Sequence, residues 1–179
     1  MEADVAALFV TNDSIYKRLP NVDAWDKTRD ARHYGGSMPV VAHPPCRAWA
    51  SLRHCAKPEP GEKDLARLAI AYVDLYGGVL EHPQRSTLWR EVDPDKVITV
   101  DQHWFGHRAQ KRTKLYIPHL EFKYLPPYPL QLGQATHTVG LWSGRDKATC
   151  RPSISKREFE ASPPAFAKWL VDIARCHAS

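Results

Sequence analysis

Residues 61–83 read Gly61-Glu-Lys-Asp-Leu65-Ala-Arg-Leu68-Ala-Ile-Ala-Tyr72-Val73-Asp-Leu-Tyr76-Gly77-Gly78-Val79-Leu80-Glu81-His82-Pro83. In the first part Leu65, Leu68, Ala69, Tyr72, Val73 and Tyr76 recur at three- and four-residue spacing, the period of a helix with one buried face. Gly77-Gly78 ends that helix. Val79-Leu80 then reads as a strand stopped at Pro83, because proline cannot donate to a ladder. A helix feeding a short apolar strand is the repeating unit of an α/β sheet. The same rhythm runs upstream. Val5 to Val10 reads as a strand, Ile15 to Leu19 as a turn of helix, and Val22 to Trp25 as a second strand. Met38 to Ala42 is a third apolar run, stopped by Pro44-Pro45. Downstream, Val97 to Val100 and Leu115 to Ile117 are further strands. Residues 118–153 are rich in proline and read as loops. Ser155 with Glu158 forms a capping box. Ser162 as N-cap with Pro163 at the first position opens a last helix, with Phe166, Trp169, Leu170 and Ile173 on one face. The expectation is one domain over 1–179 with a mainly parallel sheet and helices on both faces. Residues 1–118 form its α/β core, and 119–179 form a loop-rich segment and the C-terminal helix.

Composition sets the outer bounds. The chain has 179 residues, 43% hydrophobic and 25% charged, a globular balance. At that length a core needs neither disulfides nor a metal. Lys plus Arg is 25 against 20 for Asp plus Glu, a net charge of +5 that permits a polyanionic partner without demanding one. No apolar run approaches membrane-spanning length, and Met1-Glu2-Ala3-Asp4 lacks the basic start of a secretory signal. Cys46, Cys55, Cys150 and Cys176 contain no Cys-x-x-Cys pair. A reduced, cytoplasmic setting without a membrane partner is expected. No metal is expected either, since the nine histidines show no paired ligand spacing.

In open α/β sheets, ligands bind beyond the carboxyl ends of strands. Three polar clusters adjoin strand ends in this way: His43-Pro44-Pro45-Cys46-Arg47, Glu81-His82-Pro83, and His107 to Lys114. Cys46 follows two stiff prolines, and the adjacent Arg47 would lower its thiol pKa, which is how a nucleophilic cysteine is made. Glu81 is placed to act as an acid or hydrogen-bond partner, with His82 beside it. The third cluster carries four cations in eight residues. Alternation puts Gln110, Arg112 and Lys114 on one side of an extended segment, with Arg108 upstream, a row suited to phosphate or carbonyl contacts.

In this order the clusters resemble motifs IV, VI and VIII of the DNA cytosine-5 methyltransferases. Pro45-Cys46 is similar to the family's Pro-Cys nucleophile. Leu80-Glu81-His82-Pro83 is similar to its Glu-Asn-Val, with His82 replacing Asn. Gln110-Lys111-Arg112-Thr113-Lys114 is similar to its Gln-x-Arg-x-Arg, with Lys114 for the last Arg. The resemblance spans roughly residues 39–118. It implies a Rossmann-like, methyltransferase-like sheet and modification of a pyrimidine in DNA, with S-adenosylmethionine as cofactor. On the family chemistry Cys46 adds to C6 of the base, Glu81 holds N3 and Arg112 polarises O2. Pro45, Arg47, His82, Arg108, Gln110 and Lys114 would line the substrate site. Phe9, Asp26 and Asp30 stand where the cofactor would lie.

The chain departs from the family in two places. The Phe-x-Gly-x-Gly cofactor loop appears as Leu8-Phe9-Val10-Thr11-Asn12-Asp13, with no glycine, and only 45 residues precede Cys46. A truncated cofactor half is expected. No large target-recognition domain follows the third motif. These features resemble a compact phage or prophage relative, and they leave two alternatives. One is a catalytically degenerate DNA-binding or masking protein. The other rests on Pro44-Pro45-Cys46 and Gln84-Arg85-Ser86, which are similar to the nucleophile and phosphate motifs of thymidylate synthases and their hydroxymethylase relatives.

Overall fold

A computed structural model describes residues 2–51, 53–139 and 151–178. Six strands form one sheet: β1 (Val5–Val10), β2 (Val22–Asp26), β3 (Val40–Ala42), β4 (Gly78–Pro83), β5 (Val97–Asp101) and β6 (Arg112–Tyr116). Their spatial order is β2-β1-β3-β4-β6-β5. The first four are mutually parallel, while β6 runs antiparallel to both β4 and β5. The sheet is therefore mixed rather than mainly parallel. The reason lies in the connection lengths: only residues 102–111 join β5 to β6, too few for the helical crossover that a parallel pair needs.

Two helices flank the sheet, α1 (Glu62–Tyr76) and α3 (Pro164–Cys176), with a single turn α2 (Lys156–Glu160) between them. Ala66, Ala69 and Val73 of α1 are fully buried with Ala6, Leu8, Val40, Ala42 and Leu80, and these small side chains let the helix lie close to the strands. On the other face Phe166, Trp169, Leu170 and Ile173 of α3 bury with Val5, Ala7, Val41, Val79 and Leu115. Covering on both faces explains why β1 and β3 read as continuous apolar runs. Helix α3 starts one residue later than its sequence suggests, because Pro163 takes the extended cap conformation (ψ 142°). Ser155 caps α2 by accepting from the Glu158 amide at 3.2 Å. The Glu158 carboxylate does not reciprocate; it goes to Arg108.

The connections among the first three strands are short. A single 3-10 turn (Ile15–Arg18) joins β1 to β2, and another (Ala31–His33) lies between β2 and β3. Gly78 sits at φ 106°, where a Cβ would stand 2.1 Å from the Val40 carbonyl oxygen. Only glycine lets β4 press against β3 at that point. Among the described residues no helix is long and apolar enough to cross a membrane. Cys150 and the region around it (140–150) lie outside the described residues.

Candidate active site

The chain lays β2 on one side of β1 and then β3 on the other. In open α/β sheets such a reversal is where ligands commonly bind, beyond the carboxyl ends of the two central strands. His43 is the first residue past β3, and its amide donates to the Leu8 carbonyl of β1 at 3.0 Å. Pro44-Pro45 then turns the chain away. The Cys46 carbonyl accepts from the Trp49 and Ala50 amides at 3.0 and 2.8 Å, which closes the loop. Glu81 comes from β4. Because β6 is antiparallel, its start rather than its end reaches the same edge, bringing Lys111 and Thr113.

Five polar side chains converge here. Glu81 Oε2 lies 3.0 Å from His43 Nδ1, and His43 Nε2 lies 2.8 Å from the Tyr16 hydroxyl. The Thr113 hydroxyl donates to Glu81 Oε1 and also stands 2.8 Å from the His82 carbonyl oxygen. Burial alone would raise the Glu81 carboxyl. The His43 hydrogen bond and charge, then Lys111 and Thr113, outweigh burial and hold it at about 2. Burial, and then the Glu81 charge, pushes the Tyr16 phenol well above its ordinary value, so Tyr16 keeps its proton. Lys111 is drawn down by burial against the pull of Glu81 and Cys46. Its Nζ donates to the Ala161 carbonyl at 3.1 Å.

Cys46 is a free, half-buried cysteine within electrostatic reach of Glu81 and Lys111. Its thiol is raised, by burial first and the Glu81 charge second. The expected lowering by Arg47 is absent. The Arg47 guanidinium is turned to Glu62 at the start of α1 (Nη2–Oε2 2.5 Å), whose side chain is 2% exposed. The resting thiol is therefore protonated, and deprotonating it takes a base.

The remaining expected residues fall in different places. Glu81 pairs with Leu115, which puts Thr113 and Lys111 on the Glu81 face of the sheet and Arg112 and Lys114 on the other. Arg112 is exposed and does not join Glu81 and Cys46. Lys114 lies 5.9 Å from the Trp89 ring, and Gln110 is exposed. Arg108 is bound to Glu158 (Nε–Oε1 2.8 Å). His82 is fully buried on the α1 face, edge-on to Trp89, where burial lowers it to about 4 against the pull of the Glu81 charge. Its ring nitrogens have no hydrogen-bond partner, and it lies on the sheet face opposite Glu81. Ser86 is buried and caps the turn at Leu88 (3.0 Å), so it does not stand open to a phosphate.

The expected cofactor residues are also committed. Asp26 pairs with Lys17 and accepts from the Thr28 and Arg29 amides at 2.9 and 3.1 Å. Asp30 is held at about 2, chiefly by Arg32. Phe9 sits at φ 60°, in a left-handed conformation that strains a bulky residue, at the point where β1 breaks register with β2. A shallow concavity of about 240 Å³ lies apart, lined by His103, His107, Arg108 and Gln131 among others, and it includes neither Cys46 nor Glu81. No group of metal-ligating side chains converges among the described residues.

Sequence reasoning passed over His43, Tyr16, Lys111 and Thr113. His43 carried a usable signal, as the last residue before the Pro-Pro stop. Lys111 and Thr113 had only a parity, which the strand register decides. No protein-family model matches the chain, and no curated protein matches it.

Proposed function

We propose that the chain is a pyrimidine-modifying enzyme of the DNA cytosine-5 methyltransferase type, with Cys46 as the nucleophile that adds to C6 of the base. The observation that carries this reading is the placement of Cys46 past β3, Glu81 in β4 and Lys111 just before β6 at one edge of the sheet. They bring a sulfur nucleophile, a carboxylate and a cation to one edge, the three groups that the addition needs. Sulfur adds to C6, C5 becomes enamine-like, and the displaced charge settles on N3 and O2. Lys111 takes the part first given to Arg112. Arg112, exposed and without an ion pair among the described residues, suits a backbone phosphate of DNA instead. The four parallel strands with a reversal beside β1 support a Rossmann-like, methyltransferase-like sheet.

S-adenosylmethionine does not fit the residues found at its expected place. Asp26 and Asp30 are bound to Lys17 and Arg32, and a strained Phe9 stands where a glycine turn would approach the ligand. The addition itself needs none, because it is reversible and lets the C5 hydrogen exchange with solvent. The test is loss of the C5 proton signal of cytosine in D2O, using single-stranded and duplex oligodeoxynucleotides of mixed sequence. The native protein should catalyse the exchange and Cys46→Ser should abolish it. No exchange on either substrate overturns the reading.

The closed cofactor edge favours one second reading, a catalytically degenerate DNA-binding or masking protein. That reading requires salt-sensitive DNA affinity with no exchange.

A further inference from the structure

Resting on the addition chemistry proposed above, we infer that His43 and Glu81 form a proton-storing pair, which takes the proton from the Cys46 thiol and returns it to the base. Three contacts support this. His43 Nδ1 faces Glu81 Oε2 at 3.0 Å, so a proton on the pair is shared between an imidazole and a carboxylate. Tyr16 lies 2.8 Å from Nε2, and its hydroxyl can donate to a bare nitrogen or accept from a protonated one. It therefore serves His43 in either charge state while keeping the ring in place. The Thr113 hydroxyl stands between Glu81 Oε1 and the His82 carbonyl. It points its single proton at the carboxylate when Glu81 is ionised, and at the carbonyl when Glu81 is protonated. Both neighbours are thus adaptable partners for a group whose proton comes and goes.

The balance closes without a further reactant. The thiol proton passes to the pair, leaving thiolate at Cys46 and imidazolium beside carboxylate. The sulfur lone pair forms the S–C6 bond, the C5=C6 pair becomes C4=C5, and the C4=N3 pair falls on N3. Glu81 delivers the stored proton to N3 and is left ionised beside neutral His43. Reversal ejects sulfur and returns the proton to the thiol. His43 acts through Glu81 and is a positioning residue; Glu81 is the group that touches the base.

The test follows C5 exchange against pH in the native protein, His43→Asn and Tyr16→Phe. His43→Asn should lower the exchange rate about 100-fold and remove a step from the pH profile, with DNA affinity kept within about twofold. Tyr16→Phe should keep the exchange but move that step. Exchange by His43→Asn with the native pH profile overturns the inference and leaves the addition standing. Absence of exchange in the native protein overturns both. Should His43→Asn fail to fold, His43→Gln decides: loss of exchange with DNA affinity kept is expected, and exchange with the native pH profile overturns the inference.

Discussion

Glu81 and His82 are neighbours in β4, yet they occupy different chemical worlds. Glu81 faces the α3 side, where His43, Thr113 and Lys111 converge on it and keep it ionised. His82 faces the α1 side, fully buried, with unpartnered ring nitrogens and a lowered pKa. Both are buried polar groups at one strand end, and burial penalises the charge of both. What separates them is whether groups of complementary chemistry arrive from other strands. A buried polar side chain that is answered from three directions marks the working face of the sheet. One that is merely enclosed marks the packing face.

The largest effect that can break this contrast is in acid stability. The Glu81 carboxyl lies at about 2 in the fold against an ordinary 4.5. The unfolded chain therefore takes up the proton first, and stability that is full above pH 4.5 is lost as pH falls through 2. The scale is on the order of 3 kcal/mol. His82 lies at about 4 against 6.5. Again the unfolded chain protonates first, but this loss runs from pH 6.5 down to 4. Urea titrations across pH should show Glu81→Gln flattening the lower window and His82→Leu the upper one. Swapped windows would undo the contrast.

Next comes the choice of cation. Lys111→Ala should slow C5 exchange by about 100-fold, or roughly 2.7 kcal/mol. Arg112→Ala should change it less than about threefold, while reducing the salt slope of DNA binding by about one. Equal losses in exchange would put both residues at the base. At neutral pH, His82→Leu should leave the urea midpoint unchanged or raise stability by about 1 kcal/mol, since a buried, unanswered imidazole is replaced by a hydrocarbon. A clear loss would mean that the Pro45 carbonyl is a true partner. The smallest effect is at Phe9, where Phe9→Gly relieves strain but loses side-chain packing. The melting temperature should move by only a few degrees.

Much of the fold was legible. Apolar runs placed the strands, and the 3.6-residue period placed α1 and α3. The sequence singled out Cys46, which follows Pro44-Pro45, and Glu81, which follows Val79-Leu80. The direction of β6 was readable in principle from the short 102–111 connection, but alternating strand and helix suggested parallel strands throughout. The position of Arg112 on the face away from Glu81 was hidden for a related reason. A period of two names two candidate faces, and only pairing with β4, where Glu81 meets Leu115, says which face the odd-numbered residues share. The partnership of Tyr16, His43 and Glu81 joins residues 27 and 38 positions apart. No local pattern encodes it.

The reversed direction of β6 has one more consequence. A strand that runs with its neighbours lends this rim its exit; a strand that runs against them lends its entrance. The ten residues from Gln102 to Lys111 therefore form a rim segment anchored at both ends by the antiparallel β5–β6 pair, at the edge of the same sheet whose β1 to β4 run parallel. Lengthening or exchanging that segment would move Lys111 and its neighbours while leaving Cys46 and Glu81 where they stand.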